Sequence, residues 1–161
     1  MLRDKSLIPL SRQHQHALSL CVRIDRASPI DDAKLGQWQT EIAEQFQAEI
    51  RVHFAAEEQF VFPAASAFPE LSSLVEDLLA DHAWLREHLV RSESKELTSE
   101  EISAFAERLA THIRKEERQL FERMQLLMRA EDLTRLGQEL DRALENATQI
   151  CSVHPTSTER K

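Results

Sequence analysis

One motif occurs twice in the 161-residue chain. The copy that begins at His53 reads HFAAEEQFVF and the copy that begins at His112 reads HIRKEERQLF, so both fit H-x-x-x-E-E-x-x-[VL]-F. Residues four positions apart on a helix lie one turn apart and about 40° apart around its axis, so His53 points the same way as Glu57, and His112 the same way as Glu116. Two such pairs that face each other across a helix bundle are typical of a two-metal site.

The composition favours helices throughout. Glycine occurs only twice and tyrosine not at all, whereas Ala, Leu, Glu, Gln and Arg dominate. The formal net charge of −8, without a basic cluster, disfavours nucleic acid and anionic membranes as partners. We therefore expect an all-α protein that binds neither.

The sequence also predicts a cytoplasmic location. No apolar run approaches the roughly 20 residues that cross a bilayer, and the start of the chain lacks a signal-type apolar core. The two cysteines, Cys21 and Cys151, follow no metal or redox spacing, which is typical of a reducing compartment.

Hydrophobic periodicity predicts four long helices and a short fifth one. Pro63 is expected to end the second helix, Pro69 to begin the third, and the capping box at Thr98 to open the fourth. The predicted helices are 6–27, 32–62, 69–91, a fourth that starts after Thr98, and a fifth that ends near Asn146. Short connections favour an up-down-up-down four-helix bundle over residues 1–147, followed by a tail over residues 148–161.

Each long helix carries polar groups at the centre of its apolar stripe. A lone histidine in such a place is usually a hydrogen-bonded core residue, but four of them with two carboxylates predict a shared metal centre. Mixed imidazole and carboxylate ligands suit iron, manganese or zinc. The predicted ligands are His14, His53, Glu57, His82, His112 and Glu116.

Several motifs resemble those of hemerythrin-like HHE cation-binding domains. They are SRQHQHAL from Ser11, HFAAEEQFVFP from His53, DHAWL from Asp81 and HIRKEERQLF from His112, and the resemblance covers roughly residues 6–145. It implies a non-haem di-iron centre, oxo- or hydroxo-bridged, in which the four histidines are terminal ligands and the two glutamates bridge. Zinc or manganese are possible substitutes for iron.

One position departs from the oxygen-carrying members of that family. They have a second histidine one turn after the first on the third helix, where this chain has Arg86, which cannot lose its proton to become a ligand. Because the second and third helices are expected to run antiparallel, we predict that Glu49 pairs with Arg86 and that Arg108 joins them. The alternative is that both arginines reach into solvent.

The adjacent acids Glu58 and Glu117 point about 100° away from the predicted bridging pair. We interpret them as surface residues or as outer partners of the ligands. Family members that use the later carboxylate on the fourth helix leave open whether Glu117 replaces Glu116.

The leading functional hypothesis is a di-iron protein that binds or responds to O2, NO or oxidants, or that handles iron, so that its partner is a diatomic ligand or an oxidant. The alternative is a di-iron enzyme with ferroxidase, peroxide-reducing or NO-reducing activity. A third hypothesis is a helical interaction module with core histidines. A homodimer is possible.

Overall fold

The computed structural model describes the backbone of residues 2–151 and the side chains of residues 2–145. All regular secondary structure in this part of the chain is helical, which confirms the predicted all-α class. Three π turns lie inside otherwise continuous helices. The helices are α1 (Ile8–Ala27), α2 (residues 32–66, with π turns Phe46–Ile50 and Glu57–Val61), α3 (Ser72–Glu93, after the 3-10 turn Pro69–Leu71), α4 (residues 99–127, with π turn Glu116–Leu120) and α5 (Ala130–Cys151).

Side-chain caps begin two of these helices where the sequence places capping residues. The Asp31 carboxylate accepts the N–H of Ala33 at the start of α2. At the start of α4, the Thr98 hydroxyl accepts the N–H of Glu101 while the Glu101 carboxylate accepts the N–H of Thr98, which completes the predicted capping box. These contacts satisfy backbone donors that lack partners inside the helix.

The prediction that Pro63 ends the second helix is wrong, since α2 continues to Ser66. Proline normally breaks a helix because it lacks an N–H and its ring meets the carbonyl four residues earlier. Here the π turn Glu57–Val61 comes directly before it, and the N–H of Phe62 reaches the carbonyl of Glu57, five residues back. This wider turn changes the local backbone geometry at the point where the proline ring enters the helix.

The predicted inward face of α4 is also wrong after Glu116. The helical periodicity of the sequence predicts Gln119 on the same face as His112 and Glu116, but Gln119 is exposed, and Leu120 is fully buried instead. The π turn Glu116–Leu120 inserts one extra residue, which rotates every later side chain relative to a regular α-helical pattern.

The core consists of two apolar clusters. α1 packs against α4, α3 packs against both α2 and α4, and α5 packs against the second half of α2. One cluster contains Leu20, Ile42 and Leu109, and the other contains Leu10, Leu78 and Phe121. The predicted ligands belong to neither cluster although they are buried.

The helix α5 is longer than predicted and reaches Cys151. Its Leu133, Leu136 and Leu140 are buried in the same cluster as Leu7 of the N-terminal segment. Gly137 lies so close to Ser6 that a Cβ atom added to this glycine would be 2.7 Å from the Ser6 Cβ. The remainder of the predicted tail lies outside the described residues.

Across the described residues, no helix is both long enough and apolar enough to span a bilayer.

Candidate metal centre

All six predicted ligands come together inside the bundle. Each is buried, and both glutamates are 0 % exposed. Their donor atoms form two overlapping groups in which all atoms lie within 4.8 Å of one another. The first group contains His14 and His53, the second contains His82 and His112, and Glu57 and Glu116 belong to both.

The histidines of the first half of the centre lie on α1 and α2. The Nε2 atoms of His14 and His53 lie 2.9 Å apart. Glu57 Oε1 is 3.1 Å from His53 Nε2, and Glu116 Oε2 is 3.1 Å from His14 Nε2. Two imidazole nitrogens and two carboxylate oxygens therefore surround one point.

The second half repeats this arrangement, with histidines that lie on α3 and α4. The Nε2 atoms of His82 and His112 lie 3.1 Å apart. Glu57 Oε2 is 3.4 Å from His82 Nε2, and Glu116 Oε1 is 3.3 Å from His112 Nε2. Each glutamate thus turns one oxygen to each histidine pair, which is the geometry of a bridging carboxylate.

The motif repeats also share a backbone feature, because a π turn begins at the inward glutamate of each copy, Glu57 and Glu116. Single π turns inside α-helices are frequent at functional sites. In each copy the next residue, Glu58 or Glu117, reaches a histidine on a different helix. Both acids of each Glu-Glu pair therefore serve the centre.

The second ring nitrogen of every inward histidine faces an acceptor. The pairs are His14 Nδ1 with Glu117 Oε1 at 2.7 Å, His53 Nδ1 with Gln13 Oε1 at 2.7 Å, His82 Nδ1 with Glu58 Oε1 at 2.7 Å, and His112 Nδ1 with Asp81 Oδ2 at 3.5 Å. The last distance is too long for a hydrogen bond, but the charge of Asp81 still acts on the ring. Such outer contacts orient a metal-binding imidazole and leave its Nε2 lone pair free.

Basic side chains neutralise the three outer acids. Arg3 Nη2 is 2.7 Å from Glu117 Oε2, and Arg86 Nη1 is 2.6 Å from Glu58 Oε1. Asp81 accepts from Arg108 Nε at 2.9 Å and from Lys115 Nζ at 3.1 Å. A layer of ion pairs therefore surrounds the ligands.

The predicted pairing of Glu49 with Arg86 and Arg108 is wrong. Glu49 faces α1, where both its oxygens lie 3.1 Å from His16 Nδ1. Arg86 turns to Glu58, which follows the inward Glu57 and also holds His82. A nearer acid on each side, Glu58 for Arg86 and Asp81 for Arg108, takes the guanidinium group.

The chemistry of these donors fits a pair of cations. All four carboxylate oxygens of Glu57 and Glu116 are buried without a hydrogen-bond partner, which is costly unless a positive charge compensates them. When Nδ1 carries the proton, each ring is neutral and its Nε2 lone pair is free. The two Nε2 lone pairs in each half of the centre then face each other. Two nitrogens that bind one ion at about 2.1 Å and at right angles lie about 3.0 Å apart, which is close to both observed separations.

Protons on the histidines can also supply positive charge to this centre. Burial lowers the pKa of His112, but Glu116 and Asp81 outweigh this effect and raise it to about 9. Burial likewise opposes charge on His14, whereas its contacts with Glu116 and Glu117 raise its pKa well above the usual value. Burial raises the pKa of Glu57, but the neighbouring histidines, His53 first, lower it well below its usual range.

The outer acids stay ionised. The hydrogen bond with His82 is the largest cause that lowers the pKa of Glu58 to about 2, with Arg86 also contributing. Burial raises the pKa of Glu117, but contacts that include His14 and Arg3 bring it to about 2. These acids can therefore accept a hydrogen bond from an imidazole at any physiological pH.

Sequence reasoning missed four outer partners: Gln13, Asp81, Arg3 and Lys115. Asp81 lies next to a predicted ligand and is buried, with 4 % of the residue exposed. Because it lies off the apolar stripe of its helix, hydrophobic periodicity did not predict this burial. Gln13 and Arg3 carry no periodic signal, because their roles depend on how α1 and the N-terminal segment pack.

A protein-family model matches residues 9–124, and its description is the hemerythrin HHE cation-binding domain. Neither the curated proteins nor the solved structures gave a match. The matched range begins before His14 and ends after Phe121, so it includes all six predicted ligands. The chain therefore belongs to the hemerythrin HHE cation-binding domain family.

Proposed function

We propose that this protein holds two iron ions and uses them to bind or respond to O2, NO or oxidants, or to handle iron. The observation that carries the proposal is that four buried carboxylate oxygens lack partners between two pairs of imidazole nitrogens. His14 and His53 would hold one ion, His82 and His112 the other, and Glu57 and Glu116 would bridge them. The proposal includes an up-down-up-down order of the first four helices and a cytoplasmic location.

The number of donors supports a role in binding small ligands. Each ion would receive four donor atoms, from two histidines and two bridging glutamates. Iron prefers about six ligands in such nitrogen and oxygen environments, so two ions held this way would supply open coordination positions for a diatomic molecule or an oxidant. Arg86 adds no donor atom, because its guanidinium group stays protonated, and it pairs with Glu58 instead.

The surroundings of the centre support neutral ligands. A pocket lined in part by Ile50, Leu109 and Ile113 also includes His14 and His53 among its lining residues. The Phe54 ring stacks on His82 with centroids 3.8 Å apart, and the Phe121 ring stacks on His14 with centroids 5.7 Å apart. These apolar groups exclude bulk water from most of the site and would slow proton entry.

Metal analysis tests the two-cation part of the proposal. We expect two irons per chain in protein loaded under anaerobic conditions. The double variant Glu57→Ala with Glu116→Ala should lose both, because each glutamate serves both halves. The control replaces the exposed acids Glu44 and Glu76 with alanine, which removes the same charge and should leave metal content unchanged. A folded double variant that retains both irons would refute the assignment.

Optical spectra test whether the loaded centre binds a small molecule. Anaerobically reduced protein should develop new absorption with O2 or NO, and the double glutamate variant should not. A spectrum that reverses on removal of the gas supports binding. If neither gas nor peroxide changes the spectrum of fully loaded protein, the ligand-binding part of the proposal fails and iron handling remains.

The same open positions support the enzymatic alternative. Asp81 connects His112 to the partly exposed Arg108 and Lys115, so charged groups extend from a ligand toward solvent. Anaerobic turnover of peroxide or NO beyond one equivalent per site would favour an enzyme. Consumption that stops at one equivalent would favour the binding role.

A further inference from the structure

We propose that the two halves of the centre bind their cations with different affinity and that Gln13 sets the difference. The half with His82 and His112 takes the first ion. The half with His14 and His53 takes the second ion and releases it first. This inference rests on the proposed two-cation function.

The two halves of the centre differ in the charge of the groups that face the Nδ1 atoms of their histidines. His82 and His112 both face carboxylates, those of Glu58 and Asp81. In the other half only His14 faces a carboxylate, whereas His53 Nδ1 lies 2.7 Å from the neutral amide oxygen of Gln13. A carboxylate acceptor makes an imidazole a stronger metal ligand than a neutral acceptor does, and outer partners typically change metal affinity 10–100-fold.

Ion pairing does not remove this difference. Glu117 and Glu58 each have one basic partner and Asp81 has two, but all of these partners are partly exposed to solvent, so each acid still presents an ionised oxygen to its histidine. Asp81 is farther from its histidine than the other two acids, but at 3.5 Å from His112 Nδ1 its negative charge still acts on that ring. What remains is the one histidine, His53, that has a neutral acceptor.

Access to the centre favours the same order. The pocket beside the site is lined by Gln13, His14 and His53, and from the other half only His112 is among its described lining residues. His82 is 0 % exposed, whereas His53 is 5 % exposed. Water therefore reaches the first half more directly, which favours loss of its ion.

Repulsion between two divalent ions weakens the second one whichever half it enters, so two unequal affinities do not identify the halves. Variants that change one half at a time do. Gln13→Glu replaces the amide by a carboxylate of the same shape. Gln15→Glu adds the same charge to an exposed position on α1 and is the matched control.

The experiment measures both dissociation constants for Zn²⁺ alone, by competition with a coloured chelator. Gln13→Glu should tighten the second ion about tenfold or more and leave the first within about threefold, and Gln15→Glu should change both by less than about threefold. Glu58→Gln, which is also isosteric, should weaken the first ion about tenfold.

Removal of one histidine at a time identifies which half of the centre binds the first ion. His53→Ala leaves every donor of the second half in place and should retain one tightly bound ion, whereas His82→Ala should retain one ion that binds at least about tenfold more weakly. The inference is overturned if Gln13→Glu leaves the second dissociation constant within about threefold, or if His82→Ala retains the tighter ion. Wild-type protein that binds no Zn²⁺ or Fe²⁺ would instead overturn the proposed function itself.

Discussion

At the scale of single residues, each inward imidazole is held from both sides. Its Nε2 faces the centre and its Nδ1 faces an acceptor on another residue, such as Glu117 behind His14. This fixes both the orientation of the ring and the nitrogen that is free to bind a cation. At His14, His82 and His112, contacts with acidic groups also stabilise the protonated ring, so protons and metal ions compete for these nitrogens.

Metal binding should therefore release protons. The pKa of His112 is raised to about 9 in the metal-free centre, and the pKa values of His14 and His82 are also raised. Below these values the rings carry protons that must leave before Nε2 can bind, so apparent affinity should rise as the pH approaches the pKa of His112, which is about 9. Calorimetry with Zn²⁺ in buffers of different ionisation enthalpy measures the number released.

The same titration at a pH above these values provides the control, because the rings are already deprotonated and little proton release is expected. Zn²⁺ binding without proton release at pH 7 would contradict the assignment of charged imidazoles. Equal affinity at pH 6 and pH 9 would contradict it as well.

At the scale of helices, spacing alone predicted which way the histidine and the first glutamate of each motif copy point, but not the residues after that glutamate. The i, i+4 rule brought His53 together with Glu57, and His112 with Glu116, as predicted. The π turns could not be predicted, because the periodic argument assumes a constant turn along the helix. The errors at Pro63 and Gln119 both occur at π turns, because Pro63 comes just after Glu57–Val61 and Gln119 lies inside Glu116–Leu120.

Outer contacts were harder to predict than inward ones. The inward face of a helix follows from the sequence of that helix alone. A contact between helices, such as Arg86 with Glu58, depends also on which of several acids lies nearest to the arginine after the helices pack. The level of Glu49 along the bundle was a reasonable basis for pairing it with Arg86. It did not determine whether Glu49 turns toward α1 or α3, and it turns toward His16.

The contact between α5 and the N-terminal segment gives a prediction at this scale. Gly137→Ala would place a methyl group 2.7 Å from the Ser6 Cβ and 2.9 Å from the Ser6 Cα, so the backbone must move. Overpacking costs about 1–3 kcal/mol, and the gain in helix propensity offsets up to about 1 kcal/mol. Chemical denaturation should show a net loss of about 1–2 kcal/mol.

Gly36→Ala is the matched comparison. Gly36 is an exposed helical residue with open space where the alanine methyl group would lie, so alanine should stabilise the protein by about 0.5–1 kcal/mol. If Gly137→Ala stabilised the protein as much as Gly36→Ala, α5 would not pack against Ser6 in solution.

At the scale of the whole molecule, a buried polar layer separates two apolar clusters. Leu85 and Leu109 lie in the cluster on one side, and Leu10 and Leu78 in the cluster on the other. All four helices that supply ligands contribute to this layer, so its charge balance affects how each helix packs on the others. A cation pair would connect these helices in the folded state and would be absent from the unfolded chain.

Removal of metal should therefore lower thermal stability. Ions that bind only the folded chain add about 2.7 kcal/mol at 100 times the dissociation constant, which corresponds to roughly 5–10 °C in a domain of this size. Calorimetric scans of loaded protein and of the same protein after chelation measure the difference. The double variant Glu57→Gln with Glu116→Gln keeps the shape of the site but removes both bridging charges, so its melting temperature should not respond to metal. Equal melting temperatures for loaded and fully stripped wild-type protein would show that the buried layer does not depend on cations for its stability.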